Sequence, residues 1–134
     1  MREPRGEERL LLSARRLRLV LQCREGKDIV HIENITFAFA RDAGLRGVDI
    51  WLASACAALL ARHVEARGGG ELELRVAEEP RAALEMIARD AGPALDGLSA
   101  GLLAARDCAS QLRVAWHVSA GSIVTARFWL RGHA

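Results

Sequence analysis

Asp90, Gly92 and Pro93 fall together in the stretch Asp90-Ala91-Gly92-Pro93-Ala94-Leu95, directly after a segment that reads as a β-strand. A carboxylate at a strand end accepts a hydrogen bond from an exocyclic amine such as that of adenine, and a glycine beside it lets the backbone come close to a flat base. Aspartate, glycine and proline also favour turns for purely local reasons. Two readings of Asp90 therefore stand side by side, a purine acceptor and a turn-stabilising carboxylate.

The other groups able to do chemistry are scattered. His63 lies near the C-terminal end of a predicted helix, where a cation is favoured, and reads as a surface or partly packed histidine. It has no close second ligand in sequence, so zinc held by His63 and a cysteine is not expected. Cys23, Cys56 and Cys108 are odd in number, widely spaced and set among apolar neighbours, and they read as small core residues rather than a disulfide framework.

Positioning these residues needs a folded domain, and 134 residues are enough for one core. No apolar run approaches the ~20 residues that span a bilayer, and the N-terminus mixes Arg and Glu where a signal peptide would be apolar. A soluble cytoplasmic protein without a membrane segment is expected. The formal net charge of +2 is small, acidic residues separate the basic ones, and a chain with no Tyr and only three Phe and three Trp offers no aromatic stacking platform, so nucleic acid is not the expected partner.

Residues 1–13, charged and then leucine-rich with Pro4 and Gly6, are expected to form a flexible tail, and 14–134 a single domain. Alternation over Leu17 to Cys23 predicts a strand. Asp28 is placed to cap a helix reaching Ala43 before Gly44, and Asp49 to cap a second, nearly all-apolar helix from about Ile50 to Arg67, ended by Gly68 to Gly70. Of Ile50, Trp51 and Leu52 in succession, one must point away from the core. Glu71 to Val76 alternates charged and apolar residues as a half-exposed strand should, Glu78-Glu79-Pro80-Arg81 makes a turn, and a strand from about Ala83 to Ala88 leads to Asp90. A helix from Ala100 to about Ala109 and strands Leu112 to Val118 and Ser122 to Leu130 complete the chain, with Ser119-Ala120-Gly121 between the last two. This order predicts an α+β two-layer sandwich, with helices on one face of a mixed, mainly antiparallel sheet.

With these residues in place, the chain resembles the GHKL ATPase superfamily that includes gyrase, histidine kinases and the heat-shock chaperones. Within it the greatest likeness is to the small anti-sigma factors and switch serine kinases of bacterial stress and sporulation pathways. The likeness runs over roughly Leu17 to Leu130. Ala58-Leu59-Leu60-Ala61-Arg62-His63 stands where the family carries a helical motif like Ser-Glu-Leu-Ala-Arg-Asn. Ala88-Arg89-Asp90-Ala91-Gly92-Pro93-Ala94-Leu95 echoes Ala-Arg-Asp-x-Gly-Pro-Gly-Ile, and Gly97-Leu98-Ser99-Ala100-Gly101-Leu102 echoes Gly-Leu-Gly-x-Gly-Leu. Val124-Thr125-Ala126-Arg127-Phe128-Trp129-Leu130 matches the closing strand Val-Thr-Ala-Arg-Lys-Trp-Leu except at Phe128.

The resemblance implies an ATP site and also its impairment. The family's helix glutamate serves as base and its asparagine holds magnesium; here Leu59 and His63 stand in those places, and neither supplies the oxygen donor or proton acceptor required. Only Asp96 separates Leu95 from Gly97, where relatives carry a loop that closes over the phosphates. Ala94 and Ser99 replace glycines of the two motifs. The residues implied to remain around a weakly held ATP are Asp90, Gly92, Ala94, Gly97, Gly101 and Thr125, with magnesium poorly served, no catalytic residue and no metal ligand. Glu65 lies off the helical face of Leu59 and is a poor substitute base.

The resulting expectation is a regulatory, protein-binding pseudoenzyme. By resemblance its partner is a sigma factor or a STAS-type anti-sigma antagonist, and it is also compatible with a homodimer. Two alternatives stand beside it: an active ATP-dependent serine/threonine kinase acting on an anti-sigma antagonist, and a nucleotide or small-ligand sensor.

Overall fold

Residues 18–24, 29–93, 98–117 and 121–130 are described by the structure, a computed structural model. The expected tail 1–13, the Asp28 cap, the tight segment from Ala94 to Gly97 and most of the Ser119-Ala120-Gly121 loop lie outside the described residues.

Leu19, Leu21 and Cys23 alternate with Arg18, Val20 and Gln22 to form strand β1 (Arg18–Cys23). In helix α1 (Ile29–Ala43) the buried residues Ile32, Thr36, Phe39 and Ala40 recur at helical spacing. Gly44 ends the helix at φ 112°, and the Leu45 amide donates to the Ala40 carbonyl at 3.0 Å. Helix α2 (Val48–Ala66) buries Ala53, Ser54, Cys56, Ala57, Ala58, Leu60, Ala61 and Val64, too many for one stripe. It packs against α1, the sheet and the last helix, which is the central position that its apolar sequence predicts.

Asp49 does not cap α2. Gly47, at φ 58°, is the N-cap, and the helix begins at Val48. The Gly47 carbonyl accepts from the Ile50 amide, so the turn forms early and Asp49 lands inside it. Its carboxylate still sits in the first turn, where negative charge opposes the helix dipole favourably.

Strands β2 (Gly70–Ala77) and β3 (Ala83–Asp90) form a hairpin in which Leu72 faces Ala88 and Leu74 faces Met86. Helix α3 (Ala100–Cys108) follows, then β4 (Gln111–His117) and β5 (Gly121–Trp129). The five strands order β1-β2-β3-β5-β4. Every pairing is antiparallel, so the sheet is not mixed. The chain reaches β5's place beside β3 by crossing over through α3 and β4.

One face of the sheet supplies Leu72, Leu74, Leu84, Met86, Ala88, Val124, Ala126 and Phe128 to the core, against the inward residues of the three helices. Cys23 and Cys56 are buried and Cys108 partly so, and none of the three is in a disulfide; burial pushes the Cys56 and Cys108 thiols up. The opposite face carries a lattice of charges. The alternation over Glu71 to Val76 puts Glu73 on the open face of a half-exposed strand, yet only 3% of it meets solvent, because Arg18 and Arg89 lie across it from the neighbouring strands.

Candidate functional site

Two elements meet at Asp90. The last turn of α2 and its C-cap place His63 and Arg67 four residues apart on one side of the helix end. Gly68 and Gly69 then reverse the chain, with the Gly69 amide donating to the Val64 carbonyl at 2.9 Å, and β2 starts with Gly70 paired to Asp90. On its other side Asp90 pairs with Ser122, the second residue of β5. Strand β3 therefore runs two residues past the predicted end at Ala88 and delivers Asp90 beneath the end of α2.

The Asp90 side chain has no exposed area. Its Oδ1 accepts from Arg67 Nε at 2.7 Å and from the Gly92 amide at 2.9 Å. Its Oδ2 accepts from the Ser122 hydroxyl. A second guanidinium nitrogen of Arg67 donates to the Pro93 carbonyl, tying the turn to the helix. Burial alone would raise the Asp90 carboxyl, but the hydrogen bonds from Ser122, Arg67 and Gly92, with the Arg67 charge, outweigh it and hold the group below its ordinary value. It is an ionised carboxylate turned inward, and both of its oxygens are met by protein donors.

Two glycines let the backbone close around this carboxylate. A Cβ at Gly92 would come within 2.9 Å of the Arg67 carbonyl oxygen. Gly121 has φ 81°, and a Cβ there would collide with the Asp90 carbonyl and the Ala91 Cα. Gly92 is therefore needed here for the approach of α2, and Gly121 for the approach of β5 to the turn.

His63 completes the cluster without bonding to it. Its side chain is 6% exposed, and Nε2 lies 3.7 Å from Asp90 Oδ2 with no hydrogen-bond partner. Burial lowers its pKa, Asp90 opposes this, and Arg67 adds to the lowering. His63 is thus a packed, neutral imidazole. Leu59, one turn earlier, is partly buried against the core.

The remaining expected site residues divide. Asp90 and Gly92 are joined by a hydrogen bond, whereas Ala94 and Gly97 lie outside the described residues. Gly101 sits in the first turn of α3, where an added Cβ would lie 3.8 Å from Ser99 Oγ, an ordinary van der Waals contact. Ser99 caps that helix, its hydroxyl accepting from the Leu102 amide at 3.2 Å. Thr125 pairs with Ile87, and its register parity puts it on the sheet face opposite Asp90 and Ser122. The structure therefore does not bring Thr125 to Asp90; the hydroxyl that reaches the carboxylate belongs to Ser122.

Sequence reasoning overlooked Ser122 and Arg67. The arginine's place four residues after His63 was a readable signal, but Ser122 is identified only by the β3–β5 register. A cleft of 270 Å³ opens beside the cluster, lined by Gln22, Gly69, Gly70, Glu71, Arg89, Asp90 and Ala91. Asp90 contributes backbone to it, since its side chain is closed off.

A second concavity, of 450 Å³, lies between α1 and α2 and is lined by Glu33, Asn34, Phe37, Trp51, Ser54 and Ala55. Trp51 is 66% exposed and meets Phe37 edge to face at 4.8 Å. It is the residue of the Ile50-Trp51-Leu52 run that points outward.

Among the described residues no group of three or more His, Cys, Asp or Glu side chains is placed to hold a metal ion, and no helix is long and apolar enough to cross a membrane. No family model matches the chain, and no curated protein matches it.

Proposed function

We propose that this chain is a regulatory, protein-binding domain of the anti-sigma or switch-kinase type whose nucleotide site is disabled. One observation carries the reading: the carboxylate that would recognise a purine amine is fully buried, and its oxygens accept from Arg67, Gly92 and Ser122. A base would have to displace a charge-assisted bond to reach it. Leu59 and His63, in place of a base and a magnesium ligand, lead to the same conclusion about phosphoryl transfer. Protein binding is supported by Trp51, a large aromatic left in solvent beside a groove, of the kind that anchors interfaces. By resemblance, the partners to test are a sigma factor and a STAS-type antagonist.

Isothermal titration of the chain with ATP and magnesium is the direct test. No heat of binding is expected up to millimolar nucleotide. Micromolar, metal-dependent binding would overturn the reading and favour a working ATP-dependent serine/threonine kinase.

A further inference from the structure

The open face of the sheet, opposite the helices, is built from pairs of arginines that enclose a glutamate. Glu73 accepts from Arg18 Nε at 2.6 Å and from Arg89 at 2.8 Å, and Arg89 also reaches Glu71 at 3.3 Å. Glu85 accepts from Arg75 Nε at 2.8 Å and from Arg127 Nε, while Arg127 donates on to Gln111 at 2.9 Å. These two chains of contacts cross all five strands.

Charge on this face is layered. Two of the carboxylates lie beneath, Glu73 and Glu85 at 3% and 2% exposed, while the Glu71 side chain stays 37% exposed beside Arg89. The guanidiniums lie above them, with the side chains of Arg18, Arg75 and Arg89 between 38% and 62% exposed. Arg113 on β4 pairs with Thr125, adds a further exposed arginine on the same face, and takes part in no salt bridge with a described residue. Burial would raise the two carboxyls, but hydrogen bonds from their arginines hold both below the ordinary range, so they stay ionised and the lattice stays assembled.

This arrangement does two things for recognition. It presents net positive charge outward, although the chain's formal net charge is only +2. It also holds Arg18 and Arg75 by Nε in side chains that stay 62% and 46% exposed and whose rotamer entropy has already been lost, whereas Arg127, 20% exposed, spends a terminal N–H on Gln111. A fork held in place binds a carboxylate bidentately better than a free lysine does.

We propose that the open sheet face is a docking surface for an acidic segment of a partner protein, whose Asp and Glu side chains are read by Arg18, Arg75, Arg89 and Arg113. The flat spacing of these residues, set by paired strands, suits an extended or helical peptide carrying several carboxylates. Among the described residues, the tryptophan that the register puts on this face, Trp129, has the Arg81 guanidinium 5.0 Å from its ring centroid, which leaves no open stacking platform for a single-stranded nucleic acid. The inference is independent of the nucleotide reading, since this face lies on the opposite side of the sheet from Asp90.

The test is anisotropy of a fluorescein-labelled oligoglutamate peptide titrated with the whole chain at low and physiological salt. Saturable binding is expected, weakened about tenfold or more by Arg113→Glu and left unchanged by Arg106→Glu on α3, with circular dichroism melts showing both variants folded. Arg75→Lys keeps the charge but loses the pinned fork, and is expected to weaken binding several-fold. Equal losses in Arg113→Glu and Arg106→Glu, no loss in Arg75→Lys, or absence of binding at low salt would each overturn the proposal. So would tighter binding of a single-stranded oligonucleotide to the same face, or sedimentation showing a dimer that Arg113→Glu dissociates.

Discussion

Arg67 Nε lies 2.7 Å from Asp90 Oδ1, joining the C-cap of α2 to the end of β3 across 23 positions of sequence. The pair is enclosed, with side chains 11% and 0% exposed, so its removal leaves a charge that water cannot reach. Arg67→Ala should therefore destabilise by about 3 kcal/mol or more, the cost of breaking a buried pair from one side. Ser122→Ala, which removes one neutral donor to the same carboxylate, should cost about 1–2 kcal/mol. Urea unfolding followed by circular dichroism checks both values, and the order of the two is the stronger prediction.

Stability should fall with acid in two stages. The pKa of His63 is lowered in the folded state, so as pH drops below its unfolded value of about 6.5 the unfolded chain takes up a proton that the folded chain refuses. Asp90, Glu73 and Glu85 have depressed values; their contribution is complete above about pH 5 and is lost as pH falls through their folded values. His63→Gln should flatten the unfolding free energy between about pH 6.5 and 5 and leave the acid limb in place. A slope in that window unchanged by the substitution would contradict the assignment to His63.

The glycines on the two sides of the structure should respond with opposite signs. Gly121→Ala forces a side chain onto a φ of 81° and into the Asp90 backbone, and should cost about 2–3 kcal/mol or prevent folding. Gly101→Ala makes only an ordinary contact with Ser99 Oγ in the first turn of α3 and should stabilise by about 0.5–1 kcal/mol. Thermal melts of the two variants make the comparison.

Trp51 and Leu60 lie on the same helix and should separate surface from core. Leu60 is fully buried, and Leu60→Ala should cost about 2–5 kcal/mol. Trp51→Ala loses the Phe37 edge contact but little else, and should cost about 1 kcal/mol. Its larger effect is expected in capture of a sigma factor or STAS-type partner, measured by surface plasmon resonance with the melts as a control.

Local patterns were enough to recover the element order. Alternation marks β1 and β2, helical spacing of apolar residues marks α1, and a run of small apolar residues marks the central α2, all within about two residues of the observed ends. Parity across the sheet was not legible. Thr125 sits three residues after Ser122, and an odd step along a strand reverses the face, so the motif that singles out Thr125 misses the hydroxyl on Asp90. Glu73 looks solvent-facing in an alternating strand because its burial comes from arginines on the two neighbouring strands, Arg18 lying 55 positions away in sequence. The Asp49 cap failed at closer range, since Gly47 turns the chain and starts the helix first.

The placement of β5 between β3 and β4 has a kinetic consequence. Strands β4 and β5 are neighbours in sequence and pair through a short connection, so their hairpin closes a small loop. The β3–β5 ladder joins Asp90 to Ser122, 32 positions apart, and must enclose α3 and β4 before it gains any contact. Non-local closure of this kind is slow. Folding is expected to be limited by docking a preformed β4–β5 hairpin onto β3, and unfolding to begin by parting that same seam.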